Sequence, residues 1–189
     1  MKLFYQVEPG SPQERKVIKS AISLAGFSVL LDQITKLLVV EMIKHIGTRI
    51  PVIDGFFDLT YITNKGAAWG MLSGKTGLLL AVSIVVFFLI TFFLRQICEG
   101  WTERYYSLLL VMSGIIGNTF DRVFRGGGVV DFLRFYFRNW EWPSFNVADC
   151  AICIGVGMFI LSSLLRPEQK KAGKGNDKKA ATPGDEKAS

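Results

Sequence analysis

The 189-residue chain has one histidine, His45, and three cysteines. With a single imidazole among charged residues, where a solvated or interfacial ring is expected, no Ser-His-Asp set can be assembled. No H-E-x-x-H or comparable ligand spacing points to zinc either. An odd cysteine count without framework spacing excludes a disulfide scaffold. Cys150 and Cys153 form a C-x-x-C, but inside an apolar run, where small sulfur side chains serve packing rather than redox or metal chemistry. The three glycines at 126–128 lack the following Lys-Ser/Thr of a phosphate cradle, so they read as a turn or a close backbone approach.

Apolar residues, in contrast, are abundant. Half the chain is hydrophobic, 13% is aromatic, and the mean hydropathy is positive. A helical span needs about 20 mostly apolar residues, and four runs approach that length, at about 20–42, 76–94, 105–120 and 145–165. The net charge of +6 would raise nucleic acid as a partner in a soluble protein, but the basic residues are placed for a membrane. Lys2, Arg15, Lys16 and Lys19 precede the first run, Arg95 and Arg104 separate the second and third, and Arg166, Lys170 and Lys171 follow the fourth. The loops at 43–75 and 121–144 are less basic for their length, so both termini are expected in the cytoplasm. Asp32 and Lys36 interrupt the first run and no A-x-A-like site follows, so it is read as a retained span and not a cleaved signal peptide.

The expected architecture is an all-α membrane protein with four transmembrane helices, a small β-like cradle and an interfacial segment. Residues 1–16 form a cytoplasmic N-terminal segment, 17–166 the four-span domain, and 167–189 a disordered lysine-rich tail. The polar stretch up to Glu14 and the tail lack the apolar residues that would offset ordering entropy, and both are expected to be mobile. The first outer loop mixes β-branched and aromatic residues with Gly and Pro, which suggests short strands. The second is dense in aromatics and arginines, which suggests a platform at headgroup level.

Charged residues in or beside a span are costly and usually pair or serve a function. Asp32 and Lys36, four apart, share a helical face and can neutralise each other as a purely structural pair. Asn118, Asp121 and Arg122 share a face at the end of the third span, either as a site or as an ordinary charged helix end. Asp131 follows the glycines, and Asn146 and Asp149 lie on the first turn of the fourth span. With both termini inside, all of these gather toward the outer face, where Asn64 of the first loop can join them. Two carboxylates held close share a proton and can act as base and acid on one water. Asp32 has Lys36 and Asp121 has Arg122 as ready partners, which leaves Asp131 and Asp149 as the better dyad. A transporter or channel would spread ionisable groups over several depths, whereas these cluster at one. A non-enzymatic assembly factor or a degenerate relative is a third class, but an inactive relative would be expected to lose an aspartate of the dyad and this chain keeps both.

The motifs DQITK, NKGAAWG, GNTFDR, VVDF and FNVADCAI, in this order on four spans, resemble the bacterial lipoprotein signal peptidase (signal peptidase II) family over about residues 17–166. The resemblance implies an aspartic endopeptidase of the bacterial inner membrane that needs no metal or cofactor. It would cleave diacylglyceryl-modified prolipoproteins on the N-terminal side of the lipobox cysteine. It makes Asp131 and Asp149 the catalytic pair, with Asn64, Asn118, Asp121, Arg122 and Asn146 lining or supporting the site and Asp32 and Lys36 bracing it. Its expected partners are prolipoproteins and membrane lipids, without nucleic acid, and its expected state is a monomer. It also implies a cradle and a surface helix built from the outer loops. Trp69 departs from the phenylalanine usual in the family, and the lysine-rich tail is longer than in many members.

Overall fold

The computed structural model describes residues 5–66, 72 and 74–166. Trp69 and the lysine-rich tail lie outside the described residues. Four helices and four strands follow in the order α1 (Pro12–Ile43), β1 (Arg49–Ile53), β2 (Phe57–Asn64), α2 (Thr76–Cys98), α3 (Thr102–Phe124), β3 (Val129–Phe137), β4 (Trp140–Glu141) and α4 (Val147–Leu165).

All four helices are long and apolar enough to cross a bilayer. The shortest, α4, has 19 residues and reaches about 29 Å at 1.5 Å per residue, close to the roughly 30 Å hydrocarbon thickness. Their burial pattern is inverted relative to a soluble bundle. Phe27, Leu30, Phe88, Phe92, Leu161 and Leu164 point outward and exposed, while Glu14, Asp32, Lys36, Asn118 and Asp121 are buried. Lipid accepts the apolar surface at no cost, so the interior is left to polar groups that need partners.

Helix α3 is central and packs against the other three helices. Its close approach to α4 depends on absent side chains. A Cβ at Gly114 would come within 2.3 Å of the Ala148 carbonyl oxygen, and one at Gly155 within 2.5 Å of that of Ser107. Small residues at such crossings let two backbones meet in lipid, where packing rather than the hydrophobic effect drives association.

The helix ends and the N-terminal stretch differ from the sequence reading. Helix α1 begins at Pro12, because Ser11 accepts from the Glu14 amide and a proline follows in the first turn. The preceding stretch, expected to be mobile, is tied down from Tyr5 onward: Val7 N–H donates to Gly100 O (2.8 Å), Thr102 N–H to Tyr5 O (3.1 Å), and buried Glu14 accepts from the Tyr105 hydroxyl and the Gly10 amide. Helix α3 runs to Phe124, so Asp121 and Arg122 belong to its last turns.

The outer loops join in one antiparallel sheet of order β1-β2-β3-β4. The first supplies strands as expected. The second is not only an aromatic platform, since it contributes β3, which pairs with β2 through Asp131↔Ile62 and Asn64↔Val129. Its exposed aromatics are Phe124 at the end of α3 and Phe137, Trp140 and Trp142 around the β3–β4 hairpin. No surface helix occurs among the described residues. One face of β3, with Val130 and Phe132, packs on Val39 and Ile43 of α1, which seats the sheet on one end of the bundle.

Candidate active site

Strand alternation places Asp131 on the face of β3 opposite Val130 and Phe132. That face also carries Asn64, which is diagonal to Asp131 across the β2–β3 pair. The Asn64 Nδ2 donates to Asp131 Oδ2 (3.0 Å) while its own Oδ1 accepts from the Gly66 amide. The glycine run sets up this strand. Gly126 and Gly127 take φ of +67° and +85°, and a Cβ at Gly128 would lie 2.2 Å from the Thr63 methyl, so the chain turns from α3 into β3 where other residues would be strained or clash.

Asp149 is positioned by a helix start. Asn146 is the N-cap of α4: its Oδ1 accepts from the Asp149 amide (3.0 Å) and Asp149 Oδ2 accepts from the Asn146 amide (3.1 Å). This reciprocal capping box satisfies two otherwise orphaned amides at the helix end. The other oxygen of Asp149 accepts from Asn118 Nδ2 (2.8 Å). Asn146 Nδ2 reaches Asp131 Oδ1 (2.7 Å) as well as Asn118 Oδ1 (3.2 Å) and the Val130 carbonyl (3.3 Å). One residue, Asn146, thus links the two carboxylates, through its side-chain amide to Asp131 and its backbone N–H to Asp149.

Both aspartates line one cavity of about 440 Å³, together with Asn64, Cys150, Cys153 and the segment 142–145. Asp131 is 3% exposed. Burial first, then the neighbouring Asp149 carboxylate, push Asp131 up to about 7, against the amide donors of Asn64 and Asn146 that favour its ionised form. Among the described residues neither aspartate forms a salt bridge.

The remaining charges form a buried layer beside the pair. Lys36, fully buried, bridges Asp32 (2.8 Å) and Asp121 (3.0 Å), and its Nζ also donates to Asn118 Oδ1 (3.3 Å). Asp32 Oδ1 accepts from the Ala148 amide (2.9 Å), so the first helix holds the first turn of the fourth. A Cβ at Gly117 would sit 2.5 Å from Asp32 Oδ2.

Asp121 is not partnered by Arg122. Its Oδ1 accepts from Arg125 (2.6 Å) and its Oδ2 from the Val130 amide (3.1 Å) in addition to Lys36. Arg122, one position further round the helix, instead donates to the carbonyls of Asn118 (3.4 Å) and Gly66 (3.2 Å) and lies in electrostatic reach of Asp149, Asp131 and Asp121. Arg122 therefore holds the first loop against α3 and contributes positive potential to the pair, while Asp121 lies behind Lys36.

The chain as a whole is similar to known proteins. A profile of signal peptidase (SPase) II matches residues 24–165.

The chain belongs to the signal peptidase II family.

The lipoprotein signal peptidase of Syntrophotalea carbinolica is 42% identical, over 74% of this chain and 87% of that protein. Two solved bacterial membrane enzymes, determined by the in meso method at 2.3 and 1.9 Å resolution, share the fold. The first has 31% identity and a TM-score of 0.71 over 84% of this chain and 95% of its own. The second has 32% identity and a TM-score of 0.68 over 79% and 95%. As a signal peptidase II, the chain is a multi-pass membrane peptidase. Every site residue singled out from sequence except Arg122, whose bonds go to backbone carbonyls, sits in a chain of side-chain hydrogen bonds or ion pairs that leads to one of the two cavity aspartates.

Sequence reasoning missed Gln33 and Arg125. The Gln33 amide touches Asp32 (3.0 Å), the Gly117 carbonyl (3.3 Å) and Asp121 (3.3 Å). Its signal was weak, a single polar residue beside Asp32. Arg125 was legible by the i,i+4 rule that relates it to Asp121, but its place after the apparent end of the span hid it.

Proposed function

We propose that this signal peptidase II is an aspartic endopeptidase. It removes signal peptides from diacylglyceryl-modified prolipoproteins on the N-terminal side of the lipobox cysteine. Asp131 and Asp149 are its catalytic pair. The observation that supports this reading is two carboxylates from separate elements, steered by amide donors, unbalanced by any salt-bridging cation among the described residues, and facing one cavity. Lys36 and Arg125 neutralise Asp32 and Asp121 beside the pair, so the negative charge left over there is concentrated on Asp131 and Asp149.

In the proposed reaction the ionised aspartate takes a proton from water, whose oxygen adds to the scissile carbonyl, while the protonated aspartate donates a hydrogen bond to that carbonyl oxygen. The tetrahedral intermediate collapses with cleavage of the C–N bond. The amide nitrogen takes the proton, and the lipid-modified cysteine leaves with a free amine. The pair titrates as a unit, so the proton belongs to both. Asn64, Asn118 and Asn146 keep the carboxylates in place through this exchange of charge, and Arg122 stabilises the developing negative charge at a distance.

The orientation proposed with this function puts both termini in the cytoplasm and the sheet at the outer face. The start of α1, the end of α2, the start of α3 and the end of α4 share the opposite end, where Lys16, Lys19, Arg95, Arg104 and Arg166 collect. The test is a gel-shift assay of detergent-purified protein with diacylglyceryl-modified and unlipidated prolipoprotein. Wild-type protein cleaves the lipidated form alone, while Asp131→Asn and Asp149→Asn, still folded, cleave neither. Full activity in either variant overturns the dyad.

A further inference from the structure

One wall of the aspartate cavity is not helical. It is the segment 142–145, which runs from β4 to α4 and lines the cavity with Asp131, Asp149, Cys150 and Cys153. Its far end is fixed beside the dyad. The Phe145 N–H donates to Leu133 O (3.1 Å), the Leu133 N–H donates to Phe145 O (2.9 Å), and the Phe145 ring stacks on Phe135 with centroids 5.9 Å apart. The next residue is Asn146, which bridges the two aspartates. The near end carries Trp142, which is 45% exposed and whose N–H donates to Phe135 O (2.9 Å).

Strand β4, just before Trp142, has only two residues, both exposed, so little apolar burial holds this end in register. The Trp142 ring lies 5.8 Å from that of Trp140, but Trp140 belongs to the same hairpin and moves with it. A charge pair supplies the anchor. Arg134 Nε and Nη2 donate to the two oxygens of Glu141 (2.7 and 2.6 Å). Arg134 is itself buried and braced: its Nη1 donates to Asp58 Oδ2 (2.5 Å), Asp58 Oδ1 accepts from the Tyr136 hydroxyl (2.9 Å), and the guanidinium lies 4.5 Å from the centre of the Tyr136 ring. A bidentate guanidinium–carboxylate pair fixes angle as well as distance. Compared with apolar packing, buried ion pairs add little net stability, so what this one contributes is direction.

The direction matters because strand residues alternate. Arg134 shares the face of β3 that carries Val130 and Phe132, opposite Asp131. With Glu141 turned to the Arg134 face, its neighbour Trp142 is turned to the face of Asp131. The surface so formed is apolar beside the carboxylates, with Trp142, Pro143 and Phe145 on the loop and Ile154 on α4. Cys150 and Cys153 follow Asp149 within about one helical turn, so whatever fills this end of the cavity adjoins the bond being cleaved.

We infer that Arg134 is a positioning residue for the peptidase reaction, acting through Glu141 to hold Trp142 as the surface against which uncharged side chains flanking the scissile bond are bound. This rests on the peptidase reading above and adds to it a peptide-contacting side chain and the device that sets it. The anchor acts on the near end of the wall alone, while Phe145, Asn146 and the dyad are held separately. Its loss therefore weakens substrate binding and spares the chemical step.

The experiment measures kcat and KM on diacylglyceryl-modified prolipoprotein in detergent for wild type, Glu141→Ala, Glu141→Gln, Trp142→Ala and the Glu141→Ala/Trp142→Ala double variant. Loss of the indole surface in Trp142→Ala is expected to raise KM about ten-fold. Glu141→Ala is expected to raise KM about five-fold with kcat within about two-fold of wild type, and that retained kcat also shows that the variant is folded. Glu141→Gln keeps one acceptor for Arg134 and is expected to limit the rise to about two-fold. The double variant is expected to match Trp142→Ala alone, because an anchor with no indole to hold has no effect, whereas independent residues would multiply to about fifty-fold. Multiplied losses, an unchanged KM in Glu141→Ala, or a fall in kcat at constant KM in both Glu141 variants overturn the positioning role and leave the peptidase reading intact. Failure of wild type to cleave the substrate overturns the peptidase reading and the positioning role with it.

Discussion

Asp131 provides a test of the site that does not require substrate. Its carboxyl is raised from an ordinary 3.8 to about 7 by burial and by Asp149. A carboxyl raised on folding means that the folded state retains a proton which the unfolded chain has released. Stability is therefore lost as pH rises from about 4 to about 7 and is flat beyond. Each pH unit crossed in that window costs on the order of 1 kcal/mol, so moving from pH 5 to pH 8 costs the wild-type protein roughly 3 kcal/mol through this group. Asp131→Asn removes the titration. The amide has one acceptor oxygen where the carboxylate offered two, so either Asn64 or Asn146 loses its acceptor, at about 1–3 kcal/mol. The variant is accordingly expected to be no more stable than wild type at pH 5 and to gain on it by roughly 2–3 kcal/mol between pH 5 and pH 8. At about 2–4 °C per kcal/mol for a chain of this size, that relative gain is about 5–10 °C. Thermal unfolding in detergent, followed by tryptophan fluorescence at both pH values, measures it, and titrations of groups not coupled to Asp131 cancel in the difference. A Tm difference that does not change with pH refutes the placement of the raised carboxyl at Asp131.

The same group predicts the alkaline limb of the activity profile. A dyad that needs one proton loses kcat as pH rises through about 7, and Asn64→Ala, which removes a donor favouring ionised Asp131, moves that limb to higher pH in a pH-rate series on lipidated substrate. Lys36→Met leaves Asp32 and Asp121 buried without their shared cation, so chemical or thermal unfolding is expected to show a loss of about 3–5 kcal/mol, and an unchanged Tm contradicts the buried bridge.

Much of the site was legible because membrane energetics make charge conspicuous. Asp32 and Lys36 stand out in an apolar run, and their pairing follows from i,i+4 spacing alone. Asn146 and Asp149 read as one helical turn, and the structure refines this into a cap and its N3 partner, which is why the Asp149 carboxylate is bonded back to its own helix start. The partner of Asp121 was not legible, because Arg122, Arg125 and Lys36 were all eligible and only packing selects among them. The N-terminal stretch was misjudged on composition, since its order comes from backbone bonds to residues 100 and 102 that no local pattern encodes.

From the sequence alone came the solvent of the protein, its four spans, and the inventory of charges concentrated near one end, because each follows from local composition and helical period. The tertiary structure decided which charges cancel. Lys36 lies between two aspartates and so removes them from the chemistry, Asn146 reaches from α4 to β3 and so joins Asp131 to Asp149, and the β2–β3 register brings Asn64 to the same oxygen cluster. These are contacts between residues far apart in the chain. Their selection depends on helix packing at Gly114 and Gly117 and on one strand register, and a shift of one residue in that register would turn Asp131 away from its partners.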